Sequence, residues 1–192
     1  MTDGDEDWLS YTVEEQRTLT EHLLEITRQV HSGNLRSRSL DLSLLRDFHA
    51  ALFDGIRGHA GRIRTRGYGQ EHMGFGPNKS VHRDQVEREL ATVFQDVDGD
   101  LRALEESAGY ELDAMRLAVH AHAELIRIHP FHDGNGRVSR LCANHLLVRC
   151  GLRPVAVEVV KQDYTEALNH YFRTRELEPL LDIYVGLYPL DR

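Results

Sequence analysis

Twelve consecutive residues carry most of the chain's recognisable chemistry: His129-Pro130-Phe131-His132-Asp133-Gly134-Asn135-Gly136-Arg137-Val138-Ser139-Arg140. Pro130 cannot continue a helix, so the pattern predicts His129 at a helix end facing a short loop. A histidine so placed suits general-base work near neutral pH. Gly134 and Gly136 flank Asn135 and permit the positive φ angles that turn successive backbone N–H groups toward one point. Running into the N-terminus of the next helix, such a nest is an anion site. Arg137 and Arg140 are three apart and are predicted to share one face of that helix's first turn. Two cations at the positive end of a helix are unfavourable unless an anion lies between them. Asp133, the one acid in the loop, is then placed to hold Mg²⁺ against bound phosphates. His129 with His132 suggests a metal pair only superficially. Pro130-Phe131 breaks the helical geometry, and no cysteine or second histidine pair with ligand spacing lies close by.

Charge points the same way. Between Ala123 and Arg149 the four arginines outweigh Glu124 and Asp133 by two, while the other 165 residues carry −10 of the chain's −8 total. A small basic pocket in an acidic protein suits a compact polyanion such as a nucleoside triphosphate. The overall acidity disfavours nucleic acid as a partner. The longest run without Asp, Glu, Lys or Arg is eight residues, far short of a membrane span. The acidic start, Asp3, Asp5, Glu6 and Asp7, is the reverse of a signal peptide's positive region and predicts a cytoplasmic protein. Cys142 and Cys150, on one predicted helix, lie about 12 Å apart, too far for a disulfide.

The elements that must position this segment are helical. At 192 residues, 41% hydrophobic and 28% charged, the chain reads as one globular domain with a real core. Leu19, Leu23, Ile26 and Val30 recur at helical spacing, with Thr12 and Glu15 arranged as a capping box. Leu42, Leu45, Phe48, Leu52 and Ile56 repeat the pattern after Asp41. A third stripe runs from Val86 through Leu90 and Val93 to Val97, with Ser80 a plausible cap a turn earlier. Ala114, Leu117, Ala121, Leu125 and Ile128 make a fourth. A fifth helix is predicted from about Gly136 to Cys150, stopped by Gly151 and Pro154. Shorter ones are predicted over residues 163–172 and 176–187. Between Gly55 and Gly76 the pattern breaks: seven of the 15 glycines fall there, interleaved with Arg57, Arg62, Arg64 and Arg66. That stretch reads as a long loop, a class often functional in compact domains.

The twelve-residue segment resembles the His-x-Phe-x-(Asp/Glu)-Gly-Asn-Gly-Arg-x-x-Arg signature of the Fic (filamentation induced by cAMP) family, matching every fixed position. Residues 58–64 are similar to its Ala-Gly-x-(Phe/Tyr)-Arg stretch, departing at Ile63, where the family usually has an aromatic. The resemblance implies an all-α, Fic-like bundle of about seven to eight helices with a small β-hairpin flap lying between Thr65 and Lys79. It divides the chain into an N-terminal helical segment over residues 1–39, packed on a catalytic core of residues 40–192.

It also implies a protein adenylyltransferase of bacterial type, moving AMP from ATP to a Ser, Thr or Tyr hydroxyl of a target with release of pyrophosphate. His129 is then the general base and Phe131 the buried anchor of the loop. Asp133 binds Mg²⁺ bridging the α- and β-phosphates. Gly134, Asn135 and Gly136 form the anion hole, and Arg137 and Arg140 grip the β- and γ-phosphates. Tyr164 is expected near the nucleobase or ribose. The flap is expected to hold the target in extended form. Gly134 and Gly136 keep the nucleotidyl-transfer form rather than the phosphocholine-transferring or kinase variants. Transfer of UMP or GMP, and a catalytically silent nucleotide-binding module, stay open as alternatives. Target and oligomeric state are not legible.

Many Fic proteins are held off by a helix bearing (Ser/Thr)-x-x-x-Glu-(Gly/Asn), whose glutamate pairs with the second arginine, here Arg140. Four Ser/Thr residues precede a glutamate by four: Thr2–Glu6, Ser10–Glu14, Ser107–Glu111 and Thr174–Glu178. The residues that follow are Asp7, Glu15, Leu112 and Pro179, so none completes the motif. The expectation is a chain with no internal brake, restrained by target encounter or by a small inhibitory partner protein, as in toxin–antitoxin members.

Overall fold

The computed structural model describes residues 11–104, 110–156 and 161–188. They form seven α-helices and one two-stranded hairpin. Helix α1, Val13–His31, starts where the capping box predicts: Thr12 Oγ1 accepts the Glu15 N–H at 3.1 Å, and the Glu15 carboxylate accepts the Thr12 N–H at 2.8 Å. Its buried stripe, Leu19, Ile26 and Val30, packs on α2 and α5. Helix α2, Leu42–Phe53, is capped by Asp41, whose carboxylate accepts the Leu44 N–H at 2.8 Å. It stops before Ile56, because Gly55 turns the chain at φ 67°.

Helix α3, Val86–Leu104, is entered through a 3-10 turn at Arg83–Gln85. Its cap is not Ser80 but His82, whose Nδ1 accepts the Asp84 N–H at 3.2 Å. Ser80 is buried and its hydroxyl is already engaged, accepting from the Met73 N–H and from Arg64. Helix α4, Tyr110–Ile128, is buried on most sides and makes its most extensive packing with α5, Asn135–Arg149. Alanines 114, 118, 121 and 123 are fully buried on α4. Cys150 ends α5 and Gly151 leaves it at φ 78°. Cys142 and Cys150 are free, buried thiols, and burial pushes both up from the ordinary thiol range. Helices α6, Lys161–Thr174, and α7, Glu178–Leu187, pack on each other and on α4.

The glycine-rich stretch supplies the hairpin. Strands β1, Gly74–Phe75, and β2, Asn78–Lys79, pair antiparallel with Gly74 opposite Lys79 and Phe75 opposite Asn78. Gly76, at φ 59°, and Pro77 make the two-residue turn, a glycine-first loop whose twist matches the strands. No described helix is long and apolar enough to cross a membrane.

Candidate active site

Helix α4 ends at Ile128, and His129 follows in the left-handed region at φ 53°. A non-glycine residue held there stores strain, which the surroundings must offset. They do so through Arg64. Its guanidinium is fully buried, donating to the carbonyl oxygens of Ile128 and His129 at 3.1 and 2.8 Å. It also reaches Gln70 O, Ser80 Oγ and Val81 O at 3.1–3.2 Å, and the Arg64 backbone N–H donates to Pro130 O at 2.7 Å. One side chain therefore fastens the root of the flap to the end of α4. The desolvation of that cation shows in its pKa, lowered to about 10.

The His129 ring is set from two sides. Its Nδ1–H points to the Ile126 carbonyl at 3.3 Å, leaving the Nε2 lone pair for a substrate proton. Phe75 of β1 lies flat on the imidazole, with centroids 4.6 Å apart and planes 3° apart. Burial lowers the His129 pKa to about 4, so the ring is neutral at physiological pH. The flap itself leans on α6 through Phe172, edge-on to Phe75 at 5.7 Å, and through Asn169, which accepts from Asn78 at 2.5 Å.

Behind the loop, Phe131 is fully buried and stacks on His49 of α2 at 3.9 Å. His49 accepts the Gly61 N–H at Nδ1 (2.8 Å) and points Nε2–H at the Asp133 carbonyl (3.2 Å). Burial holds its pKa down at about 3, which keeps that tautomer neutral. The Asn135 side chain bonds the Phe131 N–H and C=O, both at 2.9 Å, so only its backbone faces an anion. Gly134 caps α5 at φ 75°, and a Cβ there would sit 2.5 Å from a Phe53 ring carbon. Gly136 departs from expectation: it lies within the first turn of α5 without a positive φ, so the nest turns on Gly134 alone.

The two arginines start on one turn but differ in their partners. Arg137 lies 5.6 Å over the Phe53 ring with Nη2 3.6 Å from Asp133 Oδ1, and its Nη1 is buried without a partner. Arg140 forms no ion pair among the described residues; its charge opposes the rise that burial gives the pKa of Tyr164 on α6. The Tyr164 hydroxyl lies 2.5 Å from Nε2 of the fully buried His122. Three charges counted toward the basic segment lie elsewhere: Arg149 ends α5 and donates to Arg38 O at 3.1 Å. Glu124 and Arg127 belong to a network with Glu89, Tyr171 and Arg175.

Asp133 accepts from its neighbour's backbone, Gly134 N–H, and from the Tyr11 hydroxyl just before α1. Tyr11 is itself pinned: the Arg57 guanidinium lies 4.5 Å over its ring, and Arg57 pairs with Glu15 at 2.5 Å. Burial and the bond to Asp133 push the Tyr11 pKa up to about 12. Among the described residues no group of three His, Cys, Asp or Glu could hold a metal ion. A hard cation at Asp133 therefore fits only as Mg²⁺ commonly binds beside nucleotides, with one carboxylate and the other ligands from phosphate and water.

A family model described as "Fic/DOC family" matches residues 39–147. The chain belongs to the Fic/DOC family. Among curated relatives, a protein adenylyltransferase Fic of Culex quinquefasciatus is 38% identical over 110 residues, 55% of this chain and 19% of that protein. Protein adenylyltransferase fic-1 of Caenorhabditis elegans is 33% identical over 123 residues, 64% of this chain and 22% of that protein. The Fic chain thus spans about a fifth of the length of these relatives. Among solved structures, BepC of Bartonella tribocorum with bound AMPPNP superposes with a TM-score of 0.71 at 18% identity, covering 93% of this chain and 88% of that one. A Bartonella quintana Fic domain with bound ADP gives 0.65 at 23% identity, covering 89% and 85%.

Proposed function

We propose that this Fic domain transfers AMP from ATP to a hydroxyl of a protein target. The observation that carries the reading is Arg137 Nη1, a cationic donor buried without a partner at the N-terminus of α5. Leaving such a donor unpaired costs stability, and a phosphate in the Gly134–Asn135 backbone cradle removes that cost. Arg137 and Arg140 then grip the β- and γ-phosphates. Asp133 would hold Mg²⁺, and the metal would supply charge stabilisation as pyrophosphate leaves. His129, neutral and stacked under Phe75, accepts the target hydroxyl's proton at Nε2. The flap over residues 65–79 aligns the target by strand pairing, so catalysis is positioning plus electrostatics. The AMPPNP- and ADP-bound neighbours support a nucleotide in this cleft.

The test is incubation with nucleotides labelled at the α- or the γ-phosphate. Protein label from the α-phosphate of ATP and none from the γ-phosphate is expected. Label from UTP or GTP only would move the reading to another nucleotide, and no label from any would make the domain a nucleotide-binding module.

A further inference from the structure

We propose that the flap selects an acidic target segment, in which a carboxylate directly beside the acceptor hydroxyl is met by Lys79 on the flap's outer face. This rests on the reading of the flap as a strand that pairs with the target, and adds to it the side chain that chooses the target.

Residues 55–83 hold six of the chain's 23 Lys and Arg and one of its 31 Asp and Glu, a net +5 in a chain of −8. Most of these cations are spent inside the protein. Arg64 is buried among carbonyls, Arg57 pairs with Glu15 at 2.5 Å, and Arg66 and Arg83 share Asp84 at 3.4 and 4.0 Å. Arg62 and Lys79 are exposed and form no ion pair among the described residues. The Arg62 guanidinium lies 3.9 Å over the Tyr68 ring, which stands edge-on to His132 at 5.1 Å, so this cation is held at the foot of the flap. A nucleic-acid strand would meet the net −13 of the other residues, whereas a short acidic segment confined to the flap meets its cations.

Strand alternation decides which target side chains Lys79 can meet. Phe75 and Asn78, opposite each other in the hairpin, turn toward His129 and α6. Gly74 and Lys79, the other pair, therefore face outward. A target strand added to the hairpin keeps the same alternation. The residue offering its hydroxyl to His129 points inward, and its two neighbours point to the side of Lys79. Gly74 leaves the way open, since a Cβ there would meet nothing within 4 Å, so the lysine can cross β1 to a target on that edge. Lysine supplies only two of the chain's 23 cations. A compact ammonium on a flexible stem suits that reach better than a planar fork.

The probes are short fluorescein-labelled peptides with a central tyrosine. One carries glutamate directly on both sides of it, a second carries the two glutamates one residue further out, and a third has glutamine at all four places. Anisotropy with the full chain and no nucleotide should show the first bound about three- to fivefold more tightly than the second, which has equal charge; that is the size of one exposed ion pair. The preference should vanish in Lys79→Gln, return in Lys79→Arg, and fade in about 1 M salt. Arg62→Gln should weaken both acidic peptides alike. Reductive methylation with isotope-labelled formaldehyde keeps the charge and marks the lysines for NMR. The Lys79 signal, assigned with Lys79→Arg, should move with the first peptide and stay with the second. Equal binding of the two acidic peptides, a preference that survives Lys79→Gln, or no binding of any peptide would overturn the proposal. None of these measurements requires transfer to occur, so a chain that fails to label protein from ATP would strike the transfer reading separately.

Discussion

Tyr11 donates its hydroxyl hydrogen bond to Oδ2 of Asp133, a contact that spans 122 residues of chain. The oxygen it covers is one of the two that a hard cation beside the phosphates would use. A metal at Asp133 must displace that donor, and charge-assisted bonds of this type contribute about 1.5–3 kcal/mol. Tyr11→Phe should therefore lower the Mg²⁺ concentration for half-maximal transfer by about tenfold. Binding of Mn²⁺ followed by electron paramagnetic resonance, with ATP present, should tighten in parallel. An unchanged Mn²⁺ titration would show that Tyr11 leaves the metal's approach open.

The neutral imidazole of His129 makes a prediction about pH. A base must be unprotonated to accept a proton, so activity fails as pH falls through its pKa. With that value lowered to about 4 by burial, the acid limb of kcat/KM should lie well below the ordinary histidine range. His129→Ala should reduce transfer by more than about 100-fold, in line with loss of a general base, while ATP affinity stays within about twofold. An acid limb near the ordinary histidine value would mean that another group takes the proton.

Stability has its own pH dependence, with the same sign for three buried rings. His49, His122 and His129 are depressed to about 3, 3 and 4 when folded, whereas an unfolded histidine titrates near 6.5. The unfolded chain binds more protons between those values, so stability is full above about pH 6.5 and falls as pH drops toward 4. Thermal unfolding between pH 7.5 and 4.5 should show a falling midpoint, and His49→Gln should flatten part of the slope. A midpoint independent of pH over that range would contradict the buried neutral assignments.

Arg64 joins the flap to the base, so its loss should register at both. Arg64→Met leaves the carbonyls of Ile128, His129, Gln70 and Val81 without their donor, and buried unsatisfied groups cost about 1–3 kcal/mol each before relaxation. The variant should unfold at least about 3 kcal/mol more easily. It should also be cut within residues 65–79 by limited proteolysis faster than the parent. Destabilisation without faster flap cleavage would confine Arg64 to the core.

What could be read before the structure follows from separation along the chain. Helical stripes and the Thr12–Glu15 box are patterns within a few residues, and they reappear as α1 to α5 with small shifts at their ends. The cradle was legible for the same reason, since Gly134 through Arg140 lie within two turns. Its internal geometry was not: Gly136 has no positive φ, and the second left-handed residue of the segment is His129. Ser80 failed as a cap because Arg64 and Met73, drawn to it by tertiary folding, compete for its hydroxyl. Tyr11, Phe75 and His122 reach the site from 122, 54 and 42 residues away from their partners Asp133, His129 and Tyr164. No local spacing marks such contacts.

The last prediction concerns restraint. Of the four serine or threonine pairs that approach the inhibitory pattern, Thr2–Glu6 lies outside the described residues, as do Ser10 and Ser107. The remaining glutamates can be followed. Glu14 and Glu111 are exposed, and Glu178 pairs with Arg116 at 2.9 Å. Glu15, one residue past the nearest miss, caps α1 and holds Arg57. Arg140 forms no ion pair among the described residues, so none of Glu14, Glu111 and Glu178 pairs with it. Auto-modification by Glu14→Gly, Glu111→Gly and Glu178→Gly variants should therefore match the parent within about twofold. Glu15→Gly should behave differently, because it releases Arg57 from one side and loosens the ring of Tyr11. It should follow Tyr11→Phe toward a lower Mg²⁺ requirement without raising the maximal rate at saturating metal. A rise of tenfold or more at saturating Mg²⁺ in any of the first three, equal to about 1.4 kcal/mol of barrier, would reveal a glutamate brake acting on Arg140.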